Sequence, residues 1–341
     1  MDKTFPAFKV EVYHDLVPCV AGIPEKDFFT DAAAMVRAWG LANAWIEDTF
    51  HGRVPARVPT PAPNSYGHLV CLGAPLRYSE TAEPNISPAA NSLDEAIEML
   101  RAARDMDFTA QPIFRQYAEM SRAVREVYPE CGKISGLGFE GPVTSCALFR
   151  GMDFYYDVMD EPEKSCAYLR LMTESVVAFR RQLALYNGQD DLPARGGGAL
   201  CDDLASMLPP SLWDSMVIPF WNQYYEGTTL SPSRFLHCEA ATPAHLPYIE
   251  KAHITHYQPS VSPKLTLRDM AAHVHCQFDW LLYAYQVTEM DDAQIDVWLR
   301  EAIAYHPMAI RTQIGSYAVK AGKVDRIAAF VDIAEALSKE G

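Results

Sequence analysis

The chain has 341 residues, 49% of them hydrophobic, and a formal net charge of −15. That length and apolar content exclude a disordered chain and allow one large packed domain. The charge argues against a nucleic-acid binder, which needs a basic stripe against the phosphates, but leaves room for an anionic ligand held by a few local arginines.

Met1 to Phe5 lack an apolar stretch of signal-peptide length, and no uninterrupted apolar run could span a bilayer. A soluble, cytoplasmic protein without a membrane partner is expected. The eight cysteines form no CxxC pair, so reduced and mostly buried thiols are expected. Residues 1–25 read as an irregular lead-in around Pro18, Gly22 and Pro24. Helical spacing of Phe28, Ala32, Met35 and Trp39 predicts a helix over about 27–45. Seven prolines between 53 and 88 mark an elaborated loop region. Ser92-Leu93-Asp94-Glu95 is a capping box that opens a helix reaching about Arg104, and another helix covers roughly 111–127.

Strand and helix then alternate. Strands are predicted at 133–137, 199–200, 235–236, 254–257, 273–277 and 308–312. Helices are predicted at 162–186, 210–225, 243–251, 266–272, 291–305 and 323–337, with 138–151 a loop holding a helical turn. Short connections without hairpin signals imply a parallel sheet, and the length favours a closed (β/α)8 TIM barrel over an open sheet. The expected fold is thus a single α/β barrel domain over 1–341, with 1–90 as an N-terminal elaboration.

In such barrels the chemistry sits where strands end. The ends predicted here are 141–144, Asp202 and Asp203, His237 to Glu239, 256–258, 275–277 and 311–313. One stretch stands out, Arg234-Phe235-Leu236-His237-Cys238-Glu239, where a strand runs into three metal-binding side chains just before a helix start at Thr242-Pro243. Residues i and i+2 of a strand share a face, so His237 and Glu239 project together and form half a zinc site. The bland alternative is a buried histidine and a glutamate serving the helix start. A catalytic zinc takes three protein ligands; Cys276 is the preferred third, with His275, Asp202 and Cys238 as fallbacks. Asp202 and Asp203 are candidates to orient ligands or take a proton, or one of them to cap the following helix. Gly136-Leu-Gly138-Phe-Glu-Gly141 matches GxGxxG, but Pro142 follows and no clear helix opens across it, so a dinucleotide site is not expected.

These residues carry a resemblance. Cys71-Leu-Gly-Ala-Pro-Leu-Arg77, Phe139-Glu-Gly-Pro-Val-Thr144, the block Cys201-Asp-Asp-Leu-Ala-Ser-Met-Leu-Pro-Pro-Ser-Leu-Trp213 and Leu236-His-Cys-Glu239 resemble the uroporphyrinogen decarboxylase superfamily. Within it the chain looks like the corrinoid-dependent methyltransferases, from about residue 65 onward. An arginine-rich motif of the decarboxylases is missing from residues 1–60, which argues against porphyrinogen decarboxylation. Thiol-methylating members carry His-x-Cys and a later cysteine; here Glu239 and Gly315-Ser316 stand in those places. A carboxylate in place of a thiolate makes zinc harder and suits it to an oxygen.

The resemblance therefore implies the methyltransferase component of an O-demethylase system. Zinc on His237, Glu239 and Cys276 would bind the ether oxygen of a methoxylated aromatic, so that Glu239 is both ligand and catalytic residue. The methyl group would pass to the cob(I)alamin of a separate corrinoid protein. Tyr257, Phe278 and Trp280 would hold the aromatic ring, and Arg311 would meet a carboxylate or phenolate on it. The reverse flow, from a methylcorrinoid to a thiol or tetrahydrofolate, and a metal-free binding protein are the competing expectations.

Overall fold

The computed structural model describes residues 5–189 and 193–340. Its first strand, β1 (Ala7–Val12), lies inside the stretch read as an irregular lead-in. Phe8, Val10 and Val12 alternate with Lys9 and Glu11, the period of a strand with two unlike faces. A two-stranded antiparallel hairpin follows, β2 (Leu76–Arg77) with β3 (Asn85–Ile86). The later strands are β4 (Gly198–Cys201), β5 (Arg234–His237), β6 (His256–Gln258), β7 (Gln277–Leu281) and β8 (Ala309–Ile314). Six strands form one parallel sheet in the order β1-β8-β7-β6-β5-β4, and helices connect them.

The sheet is flanked by two proline- and glycine-bearing segments rather than by two more regular strands. Asn64 and Leu137 form an isolated parallel bridge. The Asn64 N–H donates to Gly136 O at 2.7 Å, and Gly138 N–H donates back to Asn64 O at 2.8 Å. Gly141 N–H then reaches Cys201 O, at the end of β4, at 2.6 Å. On the other edge, Arg57 Nη1 donates to Val12 O at 2.8 Å. Pro59, Pro61 and Pro63 remove every second N–H of this stretch, so it makes no continuous ladder. An α/β fold with a central six-stranded parallel sheet is what the structure shows; among the described residues, closure into an eight-stranded barrel is not.

Local signals explain most of the helices. Ser92 Oγ accepts the Glu95 N–H at 3.1 Å, while the Glu95 carboxylate accepts the Asn91 N–H at 2.7 Å, so the helix Leu93–Ala102 starts where its capping pattern predicts. Pro112 and Pro162 occupy the first turns of the helices Pro112–Val127 and Pro162–Tyr186. Leu200, Leu236, Tyr257, Phe278 and Ile310 are buried on the helix-facing side of the strands. Their neighbours Cys201, His237, His256, Gln258 and Arg311 fall on the opposite face by the same alternation. No helix among the described residues is long and apolar enough to cross a membrane.

Candidate active site at the carboxyl ends of the strands

His237 is the last residue of β5, paired in register with Cys201 of β4 and Gln258 of β6. Gln258 Oε1 lies 2.8 Å from His237 Nδ1 and fixes the ring. The other ring nitrogen, Nε2, faces two carboxylates: Glu239 Oε1 at 3.4 Å and Asp203 Oδ1 at 3.5 Å. The Glu239 N–H also donates to Asp203 Oδ1 at 3.0 Å, which ties the ends of β4 and β5 together. The expected convergence of His237 and Glu239 is therefore present, with Asp203 beside them.

Burial works against a charged imidazole here, but hydrogen bonding to Glu239, the Asp203 charge and Gln258 outweigh it and push His237 up to about 9. Glu239 is itself desolvated, which raises its pKa, yet His237, Ser260 and the Val261 N–H together hold it below the usual carboxylate range. The pair is an imidazolium between carboxylates at neutral pH. Burial raises Asp203, with His237 opposing the shift and Glu239 adding to it.

Two further groups were not singled out by the sequence. Glu140, in the glycine-rich stretch, is pushed up to about 8 by burial and by the charges of Asp203 and Asp202, against a hydrogen bond from Ser65 and the pull of His237. It carries its proton at neutral pH, which makes it a proton donor beside an imidazolium. Tyr13, just past β1, is pushed up to about 12 by burial, Glu11 and Glu239. A signal for Glu140 existed, a carboxylate inside a tight glycine turn at a strand end; Tyr13 was hidden because β1 was read as irregular.

Asp202 serves another purpose. It is fully buried, and its carboxylate accepts Thr144 N–H at 2.7 Å, Val143 N–H at 3.2 Å and Trp221 Nε1–H at 2.7 Å. It caps, from a distant part of the chain, the helix Pro142–Arg150 that opens directly at Gly141. That helix corrects the expectation of a loop with one turn. Gly141 is required because a Cβ there would stand 2.5 Å from the Asp202 side chain. With its first-turn amides occupied by Asp202, the helix start has no cradle for a phosphate.

Cys276 does not join His237 and Glu239. The helix Leu267–His273 runs through the beginning of the predicted 273–277 strand, and β7 starts only at Gln277. Cys276 therefore precedes β7, at the amino end of the strands and away from Glu239 at their carboxyl end, and burial and Glu250 push its thiol up to about 11. His275 is exposed beside it, its N–H donating to Glu250 at 2.9 Å. Cys238 is buried on the helix side, its thiol 4.0 Å from Glu239 O. The expected zinc set thus fails at its third member. Among the described residues no three His, Cys, Asp or Glu side chains are grouped to hold a metal ion.

The expected substrate contacts are placed as follows. Tyr257 is fully buried with its hydroxyl donating to Cys238 O at 3.0 Å, and Phe278 is buried in the core beside half-buried Trp280. Arg311 lies across the strands, bonded through Nη1 to Glu11 and through Nη2 to Asp279 Oδ2 at 2.6 Å. Asp279, 1% exposed, also meets His256 Nε2 at 3.0 Å. Arg311 is thus the centre of a charged chain over β6, β7, β8 and β1, with both ends of its guanidinium engaged by the protein.

No protein-family model matches the chain, and no curated protein matches it either. Among solved structures it is similar to a methyltransferase from Methanosarcina mazei, with a TM-score of 0.68 and 14% sequence identity, over 99% of this chain and 95% of that one. At that identity the likeness is one of fold.

Proposed function

We propose that the chain is a methyltransferase that removes the methyl group of a methoxylated aromatic and delivers it to the corrinoid of a separate protein. The observation that carries this reading is the group His237, Asp203 and Glu239 at or just past the carboxyl ends of β4 and β5, with Glu140 of the neighbouring glycine-rich segment in their electrostatic field. The resemblance of the blocks around 139–144, 201–213 and 236–239, and the methyltransferase among structures of like fold, support it. The reading also takes the segments 61–65 and 134–141 as irregular staves of a closed barrel around this site.

An aryl methyl ether is a poor methyl donor because its oxygen leaves as a phenolate. A proton delivered to that oxygen as the C–O bond breaks turns the leaving group into a neutral phenol. The corrinoid supplies a reduced cobalt nucleophile that accepts the methyl group. This chain's residues do the rest. Glu140, protonated at neutral pH, gives the proton; the His237 imidazolium, aimed by Gln258 and flanked by Glu239 and Asp203, holds positive charge beside the developing phenolate. A zinc ion there would have to draw on His237, Glu239 and Asp203, because Cys276 is out of reach. Those side chains contact one another, His237 Nε2 at 3.4 Å from Glu239 and 3.5 Å from Asp203.

The test is direct. The protein is incubated with cob(I)alamin on a corrinoid protein and a panel of methoxylated aromatics, and release of the phenol is followed. Phenol release that falls about 10²- to 10⁴-fold in Glu140→Gln is expected. No demethylation of any panel member by the wild-type protein overturns the proposal.

A further inference from the structure

We infer that Tyr283 is a positioning residue, whose hydroxyl locks the turn after β6 in the shape that grips the Glu239 carboxylate. Two residues without glycine's freedom take left-handed backbone conformations beside that carboxylate: Ala240 at φ 54° and Ser260 at φ 41°. Such conformations persist only where surrounding contacts over-determine them. Ala240 N–H donates to Val261 O at 2.9 Å, which ties the turn after β5 to the turn after β6. Within the second turn Ser262 N–H reaches Ser260 O at 3.0 Å and Ser262 Oγ–H donates to Pro259 O at 2.7 Å.

The Tyr283 hydroxyl closes this arrangement from the end of β7. It donates to Ser260 O at 2.9 Å and accepts the Ser262 N–H at 2.8 Å, bridging both sides of the left-handed residue. Ser260 and Ser262 are 8% and 3% exposed, so the two residues it bridges are largely buried. The turn so held presents the Ser260 side chain and the Val261 N–H to Glu239. Tyr283 is pinned in turn: its ring stacks on Tyr285 at 5.5 Å, and its N–H donates to Gln286 Oε1 at 3.3 Å. Three successive strand ends thus meet at one carboxylate, and one phenol sets their spacing.

The inference rests on the proposed methyl transfer only for its kinetic arm. Tyr283→Phe removes the hydroxyl and keeps the ring; Tyr285→Phe is the control. Amide exchange at Val261 and Ser262 is expected to quicken at least tenfold in Tyr283→Phe, with strand amides of β6 and β7 unchanged, and with no such change in Tyr285→Phe. In the demethylation assay kcat falls about tenfold with KM unchanged, and the loss vanishes when Glu239 is already Gln. Unaltered exchange at Val261 and Ser262, or the same fold-loss in both Glu239 backgrounds, overturns the inference. If the wild-type protein demethylates nothing, the methyl-transfer reading falls, and exchange at those two amides decides the role of Tyr283.

Discussion

The Asp202 carboxylate accepts the Thr144 N–H at 2.7 Å across 58 residues of sequence, and with the Val143 N–H at 3.2 Å this bond ties the end of β4 to the start of the helix Pro142–Arg150. Asp202→Ala leaves the Val143, Thr144 and Trp221 donors unpaired in a dry interior. At about 1–3 kcal/mol per orphaned group, with partial relaxation, a loss of roughly 3–5 kcal/mol is expected. Urea unfolding monitored by tryptophan fluorescence measures it. A change below about 1 kcal/mol would remove Asp202 from its capping role.

Glu140 makes stability depend on pH. Its folded pKa, pushed up to about 8, lies above that of an exposed glutamate, so the folded chain binds the extra proton between about 4.5 and 8. Stability from this group is fully present below about 4.5 and is lost as pH rises through about 8. Glu140→Gln should flatten the fall in urea midpoint across that window. An unchanged slope contradicts the assignment.

Arg311 is expected to matter for folding before it matters for any ligand. Arg311→Met leaves Asp279 buried with only His256 beside it, and Glu11 without its partner. Removing one member of a buried charged group costs about 3–5 kcal/mol. The urea midpoint should drop accordingly, whereas a stable variant with weakened substrate affinity alone would return Arg311 to the site.

Cys276→Ser should change neither metal content, measured by elemental analysis after growth with zinc, nor methyl transfer. His237→Ala and Glu239→Gln should each lower methyl transfer about 10²-fold or more. Loss of bound zinc in Cys276→Ser would show that the thiol reaches the site after all.

Much of this was legible from local pattern. His237 and Glu239 converge because side chains two apart leave a strand on one side, a rule that needs no other part of the chain. The capping box at Ser92 and the strand–helix alternation are local in the same sense. What stayed hidden depends on partners far away in sequence. Asp202 looked catalytic because its donors come from 143, 144 and 221. Arg311 looked free because Glu11 sits 300 residues away, on a strand passed over at the chain's start. Cys276 was misplaced because the run Val274-His275-Cys276 resembles a strand, while Gln277-Phe278-Asp279-Trp280-Leu281, broken by a buried aspartate, is the strand itself.

The prolines at 59, 61 and 63 have one more effect. An exposed sheet margin with a full set of N–H groups is a template on which a second molecule can add a strand and start an aggregate. Here the margin of β1 has Arg57 on Val12 O, and the segment beside it lacks alternate donors. The least regular part of this sheet is thus also a poor landing place for a foreign strand.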